Sequence, residues 1–216
     1  MRFMPPLQFG QLIKRYKRFL ADVRLEDGSV VTAHCTNTGS MKTCSQPGWR
    51  VGLSTSDNPK RKHATTWELV HNGSGWIGIN TLLANRLAEE AIRAEKIAEL
   101  VGYDTIRTEQ RYGTNSRIDL LLERDPLNSA THQGLTPHDP RTRCYVEVKN
   151  VSMLADDGSV AFPDAVTQRG LKHLGELEGV VSEGHRAVML FVVQRQDATF
   201  MRPAWDIDLA YSQALV

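Results

Sequence analysis

Residues 145 to 151 read YVEVKNV. Side chains alternate between the two faces of an extended strand, so Val146 and Val148 point one way while Glu147 and Lys149 point the other, together. A carboxylate and an ammonium two residues apart on a valine-rich strand either face water or face a site. The preceding strand-like run, SRIDLLLE (116–123), sets Asp119 between Ile118 and Leu120. A carboxylate in such an apolar setting costs free energy unless it is paired, hydrogen-bonded or metal-bound. With these two strands side by side, Asp119 can meet Glu147.

The neighbouring sequence supplies the layers for such a sheet. TLLANRLAEEAIRAEKIAELVG (81–102) carries Leu83, Leu87, Ala91, Ala94, Ala98 and Val101 at helical period, with Gly102 as a stop, and predicts one long helix. IRTEQRYG, SRIDLLLE, YVEVKNV and AVMLFVVQ predict strands, and VTQRGLKHLGELEGVVSEG (166–184) predicts a second helix before the last of them. A helix, several strands, a helix and a uniformly apolar strand describe an α/β or mixed-sheet domain over residues 81–216. ERDPLNSATHQGLTPHDPRTR (123–143), with three prolines, reads as a long exposed loop.

Residues 1–80 have a different character. FLADVRLEDGSVVTAHC (19–35) alternates apolar and polar residues on both sides of Asp27-Gly28, a pair suited to the φ > 0 positions of a tight hairpin turn. TTWELVH and WIGIN flank NGSG and predict a second hairpin. Gly73, Gly75 and Gly78 spell G-x-G-x-x-G, but the surrounding Trp76-Ile77-Gly78-Ile79 is extended, so the glycines mark a hairpin turn and not a dinucleotide loop. A small all-β unit of this kind suits an OB-like barrel.

Charge separates the two halves. Residues 1–80 hold 11 Lys and Arg against 5 Asp and Glu, a balance of +6, and residues 81–216 hold 15 against 20, a balance of −5. The first cluster contains Lys14, Arg15, Lys17 and Arg18; the second contains Lys60, Arg61 and Lys62. Both have the composition of a phosphate-facing surface, with two solvated faces as the alternative. Cys35, Cys44 and Cys144 are odd in number and lack C-x-x-C spacing, which speaks against a disulfide framework or a zinc ribbon and for buried small apolar residues. His34 and Cys35 point to opposite faces and do not form a base and nucleophile pair. With 41% apolar and 24% charged residues, no leader pattern and no membrane-length apolar run, the expectation is a globular cytoplasmic protein without membrane contact.

The chemistry follows from the acids. Two convergent carboxylates, Asp119 and Glu147, make a hard oxygen site for Mg²⁺ or Mn²⁺, and Lys149 beside them can position an attacking water for phosphodiester hydrolysis. Gln168, Arg169 and Lys172 can share one polar helix face that grips a phosphate, with Val166, Leu174 and Leu177 turned to the core; the alternative is a solvated face with His173 bonded locally. The D…E-x-K arrangement resembles that of the PD-(D/E)XK nucleases. Taken together, NTGSM (37–41), GINTLLANRL (78–87), RYGTNSRIDLLL (111–122), YVEVKNV and FPDAVTQRGLKHLGEL (162–177) resemble the sugar fermentation stimulation protein A family. That resemblance implies an OB-like domain at 1–80, a restriction-endonuclease-like domain at 81–216, DNA binding without sequence preference and a link to maltose-type sugar metabolism. By position it carries the nuclease-type acids to Asp119 and Glu147 with Lys149 as partner, and adds Glu109 as a further metal-side acid. Relative to that family, the 123–143 loop is longer and the chain stops at YSQALV before a further helix end, strand and tail. Two functions follow as expectations: a Mg²⁺- or Mn²⁺-dependent nuclease, or a DNA-binding regulator on an inactive nuclease scaffold. An enzyme acting on small sugars finds no motif in the chain.

Overall fold

The computed structural model describes residues 1–114, 116–125, 139 and 142–216, so most of the loop expected between Glu123 and Arg143 lies outside the described residues. The chain divides into two compact units. Met1–Leu83, Asn150–Ala165 and Val193–Asp208 form the first; Ala84–Lys149, Val166–Val192 and Leu209–Val216 form the second. Among the described residues, no helix is long and apolar enough to cross a membrane.

In the first unit, strands β1 (Gln8–Tyr16), β2 (Leu20–Leu25), β3 (Val30–His34), β4 (Arg50–Thr55) and β5 (Thr65–His71) pair in the order β3-β2-β1-β4-β5, with β6 (Trp76–Gly78) added beyond β5. A parallel bridge between His34 and Thr66 joins β3 to β5 and closes the five strands into a barrel with OB topology. Leu12, Val23, Val51, Leu53, Trp67 and Val70 fill it, and each is at most 1% exposed. The fully enclosed Trp67 keeps its indole N–H satisfied by the Leu69 carbonyl at 2.9 Å.

The β2–β3 hairpin forms where expected, but its turn differs in detail. Gly28 alone has positive φ, at 85°, while Asp27 accepts from the Ser29 N–H at 2.9 Å and the Ser29 hydroxyl at 2.6 Å. The Gly28 N–H returns to the Leu25 carbonyl, so the chain turns over Glu26-Asp27 and places only its last residue left-handed. Strand β1 has no counterpart among the strands expected from sequence. It coils tightly against β2, with a register shift between Leu12 and Lys14, and a Cβ on Gly10 would run into the Arg24 carbonyl and Val23.

The two later segments of this unit are tied in by a buried arginine. Arg195 bridges Ile77 by backbone pairing, its side chain is fully enclosed, and its guanidinium meets Asp197 at 2.9 and 2.7 Å and the Ser152 carbonyl at 2.9 Å. Nearby, β10 (Val160–Phe162) and β12 (Met201–Pro203) pair in parallel.

In the second unit, β7 (Thr105–Tyr112), β8 (Ser116–Glu123), β9 (Arg143–Val151) and β11 (Arg186–Val193) form a sheet in the order β11-β9-β8-β7. Helix α1 (Ala84–Arg93) packs with Leu120, Leu122, Val146 and Val148, and helix α2 (Gln168–Ser182) packs Leu177 and Val180 with Tyr112, Ile118 and Leu121. A short α3 (Leu209–Leu215) completes the unit.

Helix α1 corrects the expectation of one helix through residue 101. It stops at Arg93 because Glu95 turns left-handed, at φ 53°. The Lys96 N–H then reaches the Ala91 carbonyl and the Glu95 N–H reaches that of Ile92, both at 2.9 Å, closing the end in a Schellman motif. The buried stripe is Ala84, Ala88 and Ile92, one residue on from the expected Leu83, Leu87 and Ala91, while Ala94, Ala98 and Val101 are exposed. Burying Ile92 in place of Ala91 removes more apolar surface from water. Val166 is a second correction. It is 67% exposed because helix α2 begins only at Gln168, capped by the Thr167 hydroxyl accepting from the Gly170 N–H at 3.0 Å.

Candidate active site

Strand register brings the acids together. Leu121 pairs with Tyr145 and Leu120 with Val146, so one further step along both strands sets Asp119 across from Glu147. On the other side, Thr108 pairs with Leu120 and Gln110 with Ile118, which sets Glu109 across from Asp119. Three acids thus lie in a row across β7, β8 and β9. Glu109 is exposed and takes a left-handed φ of 54° in the middle of its strand, a conformation that costs a non-glycine residue roughly 1–2 kcal/mol.

Glu147 is the most enclosed of the three, at 3% exposure. Its Oε1 accepts from Lys149 Nζ at 2.5 Å and also meets His173 Nδ1, while its Oε2 is buried with no hydrogen-bond partner. His173 comes from the first turns of α2, and Arg169 Nε donates to its Nε2 at 3.4 Å. With Nε2 accepting, Nδ1 is the ring nitrogen that carries the proton and donates to Glu147. Burying a carboxylate against a single ammonium is not in itself a stabilising arrangement, since desolvation offsets the attraction. The unpartnered Oε2 makes it less so.

Asp119 is held on both oxygens. Asn85 Nδ2, from the first turn of α1, donates to Oδ1 at 2.7 Å, and the Val148 backbone N–H donates to Oδ2 at 2.7 Å. Burial nevertheless pushes its pKa above the ordinary carboxylate value, and the charge of Glu147 adds to the rise against the pull of the Val148 and Asn85 hydrogen bonds.

A cavity of about 610 Å³ lies at this site. Its walls unite Glu109, Asp119, Glu147, Lys149, Arg169 and Lys172, together with Ser116, Arg117 and His173. Gln168, expected on the same face, is exposed and does not line it. His173 was legible as a neighbour of Arg169, four residues on along one helix face. Asn85 carries no such signal, because only the folding of α1 onto the sheet brings it to Asp119. Deeper in the unit, the Tyr112 hydroxyl and both Glu176 oxygens are buried without hydrogen bonds, and Lys172 Nζ lies 3.4 Å from Glu176. Burial, reinforced by the charges of Glu147, Glu176 and Asp119, pushes the Tyr112 hydroxyl's pKa up.

Among the described residues, no group of three or more His, Cys, Asp or Glu side chains converges on a metal position. The donor set is therefore a pair of facing carboxylates with one open oxygen, which suits a small hard cation that retains waters and takes further ligands from a phosphate.

The basic clusters of the first unit divide by role. Lys17, Arg18, Lys60 and Lys62 are exposed; Lys14 is exposed and lies 3.7 Å from Asp22. Arg61 donates to the Thr66 hydroxyl at 2.9 Å. Arg15 is structural: its Nη2 lies 2.8 to 3.0 Å from the carbonyls of Arg18, Asn37 and Gly39. Successive pairings Tyr16 to Leu20, Leu20 to His34 and His34 to Thr66 connect the two clusters, a path of three strand spacings or about 15 Å.

Two family models match the chain: an SfsA N-terminal OB domain over residues 13–79 and a sugar fermentation stimulation protein RE domain over residues 82–216. A sugar fermentation stimulation protein homolog of Geobacter sulfurreducens is 56% identical over 210 residues, covering 97% of this chain and 83% of the relative. Homologs from Shewanella loihica and Maricaulis maris are 52% and 53% identical, each covering 100% of this chain and 86% of the relative. The solved structure of Pyrococcus furiosus SfsA in complex with Ca²⁺ matches with a TM-score of 0.81 at 24% identity, covering 100% of this chain and 84% of that one.

Proposed function

From the premise that the chain belongs to the sugar fermentation stimulation protein family, we propose that it binds DNA without reading sequence and hydrolyses phosphodiester bonds with Mg²⁺ or Mn²⁺. The observation that carries the reading is Glu147: a carboxylate 3% exposed, across from Asp119, with one oxygen committed to Lys149 and His173 and the other buried and unpartnered, on a residue that lines a cavity with Arg169 and Lys172. A fold that leaves a buried carboxylate oxygen open bears a cost that a bound cation removes. The Ca²⁺ complex of the Pyrococcus furiosus protein supports a hard divalent ion in this family.

Asp119 and Glu147 would hold the ion, and Glu109, across from Asp119 on the neighbouring strand, would be a third acid beside it. Bound there, the ion supplies a water of lowered pKa and neutralises charge on a phosphoryl oxygen. Arg169 offers a fork that matches two phosphate oxygens, and Lys172 adds a point charge. His173 orients Glu147 by fixing Oε1, and Lys149, on the same strand face, would position an attacking water. The exposed lysines of the barrel supply affinity for the phosphate backbone, which carries no sequence information.

A second reading has one observation in its favour. Lys149 Nζ is already engaged by Glu147 at 2.5 Å, as expected if the pair is a structural remnant and the protein a binding regulator of sugar metabolism without catalysis. Plasmid and single-stranded DNA incubated with Mg²⁺ or Mn²⁺, beside Glu147→Ala and Lys149→Ala variants, separate the two. The nuclease reading predicts nicking or shortening that both variants abolish. Binding that persists with no variant-sensitive cleavage in either metal leaves only the regulator.

A further inference from the structure

A second hollow, of about 410 Å³, lies wholly within the first unit. Its rim is built from the Lys17-Arg18 turn and the loop that follows β3. Lys17 and Arg18 both have left-handed backbones, at φ 49° and 66°, a conformation that non-glycine residues seldom adopt. The structural Arg15 holds this turn to the loop through the carbonyls of Arg18, Asn37 and Gly39. Asn37 Oδ1 in turn accepts from the Gly39 N–H at 2.9 Å, and a Cβ on residue 39 would collide with the Asp164 carboxylate. The rim is thus tied together, and residue 39 lies close against the Asp164 side chain.

The chemistry facing this hollow is mixed. Among the described residues, the Arg18 guanidinium and the Asp164 carboxylate have no hydrogen-bond or ion-pair partner, nor do the hydroxyls of Thr38 and Ser40. Met153 and Phe162 supply apolar wall. Such a set calls for a ligand that combines an anion, a hydrogen-bond donor and a flat apolar body. Inorganic phosphate would leave Asp164 opposing it; a neutral sugar would leave Arg18 without an anion.

We propose that this hollow binds one nucleotide unit, its phosphate on Arg18, its base or sugar against Phe162 and Met153, and a donor of that base or sugar on Asp164. The volume lies within the range of small-ligand sites, roughly 300–1,000 Å³. The inference rests on the nucleic-acid reading proposed above and adds to it an anchor for a single unstacked nucleotide on the barrel unit.

The test uses full-length Glu147→Gln protein in metal-free buffer, so that no hydrolysis intervenes. Binding of dAMP, dTMP, dCMP and dGMP is followed by equilibrium dialysis or NMR shifts, with inorganic phosphate and glucose as comparison probes. The expected result is saturable binding of at least one nucleotide, tighter than either comparison probe. It is weakened about tenfold or more by Arg18→Gln, as loss of a charge-assisted phosphate contact requires. Ser40→Ala, confined to one exposed hydroxyl, weakens it less, and Asp164→Asn alters the ranking of the four nucleotides. Circular dichroism verifies that each variant is folded. Nucleotide affinity unchanged by Arg18→Gln, or glucose binding of equal strength, overturns the proposal. So does salt-dependent binding of DNA polymer with no mononucleotide binding, which leaves the nucleic-acid reading itself standing. Mononucleotide binding without polymer binding retains the pocket and removes that reading.

Discussion

Replacing Lys149 with Met removes the ammonium that lies 2.5 Å from Glu147 Oε1 and keeps the apolar stem. Glu147 is then left 3% exposed, with Oε2 unpartnered and His173 as the remaining donor to Oε1. Breaking a buried pair from one side costs about 3–5 kcal/mol, and the surviving His173 contact puts the expected loss at the lower end of that range, about 3 kcal/mol. The double variant Glu147→Gln/Lys149→Met carries no buried charge, and Gln keeps an oxygen for His173. Its expected loss is about 1 kcal/mol, roughly 2 kcal/mol less than that of Lys149→Met alone, so the second change rescues the first and the two positions are coupled. The measurement is urea unfolding in the presence of a chelator. Trp49, Trp67, Trp76 and Trp205, which are all the tryptophans of the chain, lie in the first unit. Fluorescence therefore reports on the other unit, and the signal has to come from far-ultraviolet circular dichroism or from hydrogen exchange of β9 and α2 amides. Additive effects, with both single variants within about 0.5 kcal/mol of the parent, would mean that the pair is solvated. Glu147 and Lys149 would then face water and not a buried site.

Four other outcomes are expected. Burial raises the folded-state pKa of Asp119 above its unfolded value, so the folded chain holds that proton more tightly and stability falls as pH rises from the ordinary carboxylate range through the raised value; Asp119→Asn, which Asn85 can accommodate by turning its amide over, is more stable than the parent at pH 7 in thermal unfolding, with the difference vanishing in acid. Lower stability of that variant at pH 7 would contradict the sign. Glu95→Gly relieves the left-handed residue at the end of α1 and raises unfolding free energy by about 1 kcal/mol, whereas a loss would show that the Glu95 side chain contributes more than its backbone costs. In DNA titrations at several salt concentrations, each of Lys17→Gln, Lys60→Gln and Lys62→Gln flattens the log–log slope by about 0.7–0.9 if it touches a phosphate. Arg15→Met instead lowers the stability of the first unit by about 2 kcal/mol or more, read by tryptophan fluorescence, because it strips a charged donor from backbone carbonyls.

Much of this molecule was legible in the sequence for local reasons. Alternation in YVEVKNV is a property of any strand, so Glu147 and Lys149 share a face whatever surrounds them. The β2–β3 and β5–β6 hairpins follow from short-range turn chemistry, and α2 from its helical period. Three short elements, β10, β12 and α3, carry too few residues for a period to emerge. The end of α1 is hidden in the sequence for a different reason: AEKIAEL continues the helical spacing, and only the left-handed turn at Glu95 stops it.

What required the tertiary structure is whatever joins residues far apart in the chain. Register across three strands set Glu109, Asp119 and Glu147 in a row, and the packing of α1 and α2 brought Asn85 to one acid and His173 to the other. Arg15, indistinguishable from its neighbours in the string KRYKR, proved to be bound to backbone carbonyls while Lys17 and Arg18 stayed exposed. Residues 150–165 and 193–208 joined the barrel unit through the buried Arg195 and its contacts to Asp197 and Ser152. The sequence by itself determined periodicity, turns and charge, because these depend on neighbours a few residues away. The partners of each charge depend on chain closure over tens of residues, and burial then decides whether a carboxylate is a solvated surface group or an open ligand.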